Sequence, residues 1–203
     1  VVSEEVLSRL PAPLPVDETL AAVPSTEEII AQMKRMKESA GGADEVTINM
    51  LRFADKTLIV RLYALVKHMW AYPQSWEASA HDAIVIALFK KGDRSLLDNY
   101  RGICLLSLIS RIIAKIIASR LMKFSTARNI FRRVQWGFQP GKSTRDEILV
   151  ATLLLDAACR VRDPSDLEHL TFGLLDIMKA YPSVPRNGVW RVLANFGVPS
   201  HLI

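Results

Sequence analysis

Asp176 and Tyr181 carry the most chemical content in this sequence. The carboxylate closes an apolar run, Leu170-Thr171-Phe172-Gly173-Leu174-Leu175, which predicts a β-strand over residues 170–176. An acid at a strand end is placed to hold a metal ion at a cleft. The ring five residues later, in Lys179-Ala180-Tyr181, is placed to gate what enters. The ordinary alternative is a surface acid or a helix cap. A second group is Lys90 and Lys91, which follow the apolar run of residues 84–89, with Arg101 in the next turn-like cluster. Such cations suit a triphosphate, because the guanidinium fork bonds phosphate oxygens in pairs.

A third candidate is Gly137-Phe138-Gln139-Pro140-Gly141-Lys142-Ser143, ahead of a predicted helix. It is similar to the phosphate loop of P-loop nucleotidases. That motif needs four residues between its glycines so that backbone N–H groups can wrap the phosphates, and this stretch has three. A helix cap after a Gly-Pro turn is the plainer reading.

Charge supports phosphate chemistry in general. Residues 90–145 hold thirteen Lys/Arg against only Asp93 and Asp98, a net of +11, so the formal +5 of the 203-residue chain leaves −6 for the rest. This asymmetry is a footprint for nucleic acid or polyphosphate, with a solvated basic face as the alternative. Cys104 and Cys159, both in apolar helix-like surroundings, have no zinc or disulfide spacing, which predicts a reducing compartment. His68, His81, His169 and His201 are scattered and pair at no metal-ligand spacing. No signal peptide or membrane-spanning run is expected. The chain opens on Val1 and reads as a piece of something longer.

The elements that must position these groups follow from periodicity. Residues 1–24, rich in proline, predict an extended lead-in. Ser25-Thr26-Glu27-Glu28 is a capping-box pattern for a helix that presents Ile29, Ile30, Met33 and Met36 and stops at Gly41-Gly42. Leu51, Ala54, Leu58, Leu62, Val66 and Met69 predict one long helix stopped near Tyr72-Pro73. A strand over 84–89 and a turn at Lys90-Lys91-Gly92-Asp93 come next, then a turn at Asn99-Tyr100-Arg101-Gly102. From Ser107 a helix turns Ile109, Ile112, Ile113, Ile116, Ile117 and Leu121 inward, with Arg111 and Lys115 one turn apart on its polar side. Ser143 with Asp146 caps a helix running to about Arg162 and ended by Asp163-Pro164. A last helix covers 186–196 and stops at Gly197.

Taken in order, these blocks resemble a known family. Phe89-Lys90-Lys91-Gly92-Asp93-Arg94-Ser95, Asn99-Tyr100-Arg101-Gly102-Ile103 and Leu105-Leu106-Ser107 are similar to the fingers of reverse transcriptases from non-LTR (LINE-like) retrotransposons. Gln135-Trp136-Gly137-Phe138-Gln139-Pro140-Gly141-Lys142-Ser143-Thr144 resembles the next block. Leu174-Leu175-Asp176-Ile177-Met178-Lys179-Ala180-Tyr181-Pro182-Ser183-Val184 resembles the first catalytic palm block. Trp190, Leu193 and Gly197-Val198-Pro199 match the helix after it. Gly42-Ala43-Asp44 and Pro73-Gln74-Ser75-Trp76 also fit, and the likeness covers about residues 25–199.

The resemblance implies an α+β right-hand polymerase: a lead-in (1–24), an N-terminal helical extension (25–80), fingers (81–165) and the start of the palm (166–203). It implies RNA-directed DNA synthesis from an RNA template, a DNA primer and dNTPs, inside the cell and in the nucleus. Asp176 and the backbone carbonyl of Ile177 would bind Mg2+. Of two such ions, one activates the primer 3′-hydroxyl and the other steadies the leaving pyrophosphate. The Tyr181 ring would disfavour a ribose 2′-hydroxyl. Lys90 or Lys91, together with Arg101, would meet the triphosphate. Gln135, Phe138, Gln139, Lys142 and Ser143 would line the template-primer path. Arg111, Lys115, Arg132 and Arg133 would make backbone contacts.

The chain departs from the family at Pro182, where a second acid is usual, and at Gln139, where Arg is frequent. Gly41, Ala43 and Glu45 replace usual Pro and Gly residues around Asp44. The second catalytic block, an aromatic-Ala-Asp-Asp turn, is expected beyond Ile203, and no Asp-Asp pair occurs in these 203 residues. The expectation is therefore a chain that does not polymerise alone. A decayed or repurposed nucleic-acid-binding remnant is the second reading, and a P-loop nucleotidase the third.

Overall fold

A computed structural model describes residues 8–76, 82–160, 173–178 and 180–203. The described chain is α+β: helices with one two-stranded antiparallel sheet. It divides into two compact units, Glu18–Leu121 and Val1–Asp17 with Met122–Ile203.

In the first unit, α1 (Thr26–Arg35) starts where the sequence requires it. The Ser25 hydroxyl accepts from the Glu28 N–H at 3.2 Å, a cap that contributes about 1 kcal/mol. Acids in its first turn and Lys34 and Arg35 in its last complement the helix dipole. The helix stops at Arg35, short of the expected Gly41-Gly42. Met36 leaves it in extended conformation to bury its side chain, and the exposed residues 37–40 give a further turn nothing to pack.

The single helix expected across Leu51 to Met69 is two: α2 (Ile48–Arg52) and α3 (Lys56–Ala71). Thr47 caps the first, and Asp55 caps the second by accepting from the Leu58 N–H at 2.7 Å. The apolar spacing runs on through the break, but the Asp55 cap resets the helix and leaves the Phe53 ring 90% exposed.

Strands β1 (Ala83–Phe89) and β2 (Tyr100–Leu106) pair from Ala83 with Leu106 to Phe89 with Tyr100. The predicted turn at Asn99-Tyr100-Arg101-Gly102 is therefore mostly strand; the chain reverses between Lys90 and Asn99, through the predicted turn at Gly92 and a short 3-10 turn at Leu97–Asn99. Tyr100 is drawn into the ladder by its ring contact with Phe89, centroids 5.4 Å apart. Cys104 lies in β2, not in helical surroundings, and both cysteines are unpaired and exposed.

Helix α4 (Leu108–Ala127) turns Leu108, Ile112, Ile113 and Ile116 into the core of this unit, with Ile29, Ile48, Val66 and Trp70. The expected stripe is narrower than predicted: Ile109, Ile117 and Leu121 are half-buried. Each fully buried aliphatic side chain contributes about 1.5–3 kcal/mol. Arg120 closes this core. Its guanidinium bonds both Glu28 carboxylate oxygens, at 2.8 and 2.6 Å, and the carbonyls of Leu20 and Ala22. It also lies 4.8 Å above the Trp70 ring.

In the second unit, α5 (Thr144–Cys159) opens on the predicted capping box, with Ser143 and Asp146 each bonding the other's backbone. Short α6 (Ala180–Ser183) precedes α7 (Arg186–Asn195). Gly197, at φ +84°, ends α7 in a Schellman motif: its N–H donates to Ala194 and that of Val198 to Leu193. The lead-in is tied to this end. Leu14 and Asp17 donate to the carbonyls of Asn195 and Gly197, and the Asn195 amide donates to that of Pro11.

The strand predicted over residues 170–176 is not regular where it is described. Residues 170–172, like His81, His169 and Lys179, lie outside the described residues. Residues 173–177 adopt no regular structure, and Leu174 and Leu175 are 97% and 99% exposed. A strand persists only with a neighbour to take its backbone hydrogen bonds. Among the described residues, β1 and β2 pair only with each other. No described helix is long and apolar enough to cross a membrane.

Candidate functional site

The β1–β2 hairpin carries the first cationic group. The Lys90 N–H donates to the Asn99 carbonyl at 2.8 Å, which closes the hairpin. Beyond it the chain turns through Gly92 at φ +92°. The Asp93 carboxylate accepts from the Ser95 N–H, and this bond, reinforced by the Ser95 hydroxyl, holds its pKa below the usual aspartate value. The Asn99 side-chain amide donates to the Asp93 carbonyl, and the Tyr100 hydroxyl to that of Arg94, whose guanidinium lies 5.1 Å from the Phe89 ring centroid. The side chains of Lys90, Lys91 and Arg101 are exposed. Arg94 and Asn99 stand in the family-like blocks of the sequence without a predicted role of their own; the one signal for them is an Asp-Asn pair bracketing a turn.

Arg111 and Lys115 lie on α4 and differ from each other. Lys115 is exposed. Arg111 is half-buried, and its Nη1 donates to the Ser39 hydroxyl and the Ala40 carbonyl. Its Nε and Nη2 are buried without a partner.

In the second unit, residues 135–143 form a loop braced by its own side chains. The Lys142 ammonium donates to the carbonyls of Arg133 at 2.7 Å and Gln135 at 2.9 Å, and lies 5.4 Å from the Trp136 ring centroid. The Gln139 amide donates to the Gln135 carbonyl at 2.6 Å, and that of Gln135 to the Gly137 carbonyl. Phe138 sits at φ +62° with its ring 84% exposed. Positive φ on an aromatic residue costs about 1–3 kcal/mol and persists only where neighbours impose it. Ser143 caps α5. This is a braced helix entry, in which the lysine a nucleotidase would aim at phosphate is turned onto its own loop.

Asp176 and Ile177 lie in the irregular segment and Tyr181 in α6, all three exposed. Among the described residues no group of three or more His, Cys, Asp or Glu side chains converges as a metal site. Asp176 and the Ile177 carbonyl offer hard oxygen donors of the kind Mg2+ takes, while water and substrate phosphates complete its shell in nucleotide enzymes. The donor set fits in kind and would supply part of a coordination sphere.

The structure thus places Lys90 with Arg101 on one hairpin, gathers Gln135, Gln139, Lys142 and Ser143 into one loop, and leaves Asp176 and Tyr181 open to solvent. The described residues present exposed cations, an exposed carboxylate and an exposed ring. Residues 89–203 match the model of the reverse transcriptase (RNA-dependent DNA polymerase) family, and the chain belongs to that family. It is 25% identical over 191 residues to a protein of Drosophila melanogaster described as a probable RNA-directed DNA polymerase from transposon BS. That match covers 92% of this chain and 20% of the relative. It is 28% identical over 178 residues to a retrovirus-related Pol polyprotein from type-1 retrotransposable element R2 of Popillia japonica, covering 85% of this chain and 22% of the relative. The chain spans about a fifth of the length of these curated relatives.

Proposed function

We propose that this chain is the fingers and opening palm of an RNA-directed DNA polymerase from a non-LTR retrotransposon. Within it, residues 81–165 act as fingers and 166–203 as the first part of the palm, after a lead-in (1–24) and a helical extension (25–80). The observation that carries the reading is the family match over 89–203, which contains every block the sequence offers for the chemistry, in order. Both relatives are described as polymerase-related products of mobile elements, which supports the same origin.

Asp176, with the Ile177 carbonyl, would hold divalent metal, Mg2+ by the hardness of its donors. When bound, the metal supplies Lewis-acid activation of a hydroxyl and charge neutralisation at phosphate. The residues of the chain do the rest. Arg101 and a hairpin lysine neutralise the triphosphate of the incoming dNTP. The exposed Tyr181 ring sits under its sugar and excludes a 2′-hydroxyl. Gln135, Phe138, Gln139 and Ser143 border the template and primer, with Lys142 bracing that border. Lys115, exposed on α4, acts along the nucleic-acid backbone, whereas the Arg111 guanidinium is buried against residues 39–40 and braces that segment instead.

The test is primer extension by the parent polymerase that contains this chain. Asp176→Ala is expected to abolish extension on an RNA template with Mg2+ while template affinity stays within about twofold. Extension at the unsubstituted rate would overturn the assignment. The 203 residues by themselves, without a paired-aspartate turn, are expected to bind template and not extend a primer. The remnant reading differs in one outcome: the parent polymerase would also fail to extend.

A further inference from the structure

We infer that Asn99 is a positioning residue that fixes which lysine partners Arg101, and that this lysine is Lys90. The inference rests on the reading of the hairpin as a triphosphate contact. Phe89 pairs with Tyr100, so the next opposed residues are Lys90 and Asn99, and the Lys90 N–H bond to the Asn99 carbonyl extends the ladder to them. Side chains alternate between faces along a strand, and diagonal neighbours two residues apart share a face. Lys90 and Arg101 are diagonal neighbours in this register, within reach of long side chains. Lys91 lies past the last ladder bond, at the entry to the Gly92 turn, where the alternation no longer sets its direction.

Asn99 holds this arrangement from three sides. Its backbone carbonyl accepts from the Lys90 N–H, and its side-chain amide donates to the Asp93 carbonyl across the turn. Its side chain also fills the space beside Gly92, where an added Cβ would come within 2.9 Å of the amide nitrogen. Two exposed cations on one face of a hairpin repel, and a polyanion between them relieves that repulsion.

The experiment titrates MANT-labelled dATP into the 203-residue chain, with inorganic triphosphate as competitor. Lys90→Ala should weaken binding about tenfold or more, since it removes a charged contact, and Lys91→Ala less than about twofold. Asn99→Ala should weaken it about two- to tenfold, the worth of one hydrogen bond. The deciding readout is the double variant. Asn99→Ala combined with Lys90→Ala should bind no worse than Lys90→Ala alone, whereas with Lys91→Ala the effects should add. The Lys90 amide should also exchange faster in Asn99→Ala, because the turn loses its Asn99–Asp93 brace although the backbone carbonyl that accepts from Lys90 is kept. Equal losses at Lys90 and Lys91, or additivity of Asn99 with Lys90, would overturn the inference and leave the triphosphate reading standing. Failure of the unsubstituted chain to bind, or binding that triphosphate does not displace, would overturn both.

Discussion

Replacing Arg120 by methionine should be among the most damaging single changes in the Glu18–Leu121 unit. The guanidinium donates to two carboxylate oxygens of Glu28 and two backbone carbonyls, and covers the Trp70 ring. Methionine keeps much of the aliphatic stem over the ring and removes the fork. Breaking a buried ion pair by deleting one partner costs about 3–5 kcal/mol. Here the two side chains keep 13% and 26% exposure, so water screens part of that cost and about 2–4 kcal/mol is expected. For a unit of this size that lowers the melting temperature by about 10–25 °C. Thermal unfolding followed by tryptophan fluorescence reads this directly, because Trp70 lies under the substituted group. The control is Asp156→Asn, which breaks the exposed pair with Arg160 and should cost no more than about 0.5 kcal/mol. An Arg120→Met protein melting within about 3 °C of the original would refute the reasoning.

Three further outcomes are expected. In the parent polymerase, Tyr181→Ala should raise ribonucleotide incorporation at least tenfold relative to deoxyribonucleotide; unchanged sugar selection in single-nucleotide extension removes the ring from that role. Binding of single-stranded RNA by the 203-residue chain, measured by anisotropy, should weaken about 50-fold between 50 and 200 mM salt if about four phosphates are neutralised. A loss below threefold would mean that the basic segment is not the contact. The Asp93 carboxyl is more acidic in the fold than when free, so its bond to Ser95 is intact above the usual aspartate range and is lost as pH falls through the lowered value. The Ser95 amide resonance should therefore titrate with a midpoint below that range, and a normal or raised midpoint would contradict the contact.

What was legible in the sequence were features set by local chemistry. Ser25, the Ser143–Asp146 box and Gly197 announced helix ends that form as expected, because a cap needs only residues within one turn. The 84–89 strand and the aliphatic stripe of α4 followed from residue type and period. The misreadings come from competition that a pattern does not rank. At Phe53–Asp55, apolar spacing argued for one helix while the Asp55 cap argued for two, and the cap prevailed. At Asn99–Gly102, turn-forming residues concealed a strand that depends on pairing with residues 83–89. Residues 173–177 have strand composition, but composition supplies no hydrogen-bonding neighbour. For the candidate site, the order of blocks exposed the family and individual roles stayed hidden. Nothing in the spelling of residues 135–143 foretells that Lys142 bends back onto its own loop.

The lacing of residues 11–17 to the far end of the chain has a practical consequence. An expression boundary drawn after the proline-rich opening would look harmless on paper. It would nonetheless strip the carbonyl of Asn195 of its Leu14 donor and the carbonyl of Gly197 of its Asp17 donor, and remove the acid that meets Arg128. Trimming at one terminus would thus be felt as fraying at the other. A protease that cuts just after Asp17 should loosen the end of α7.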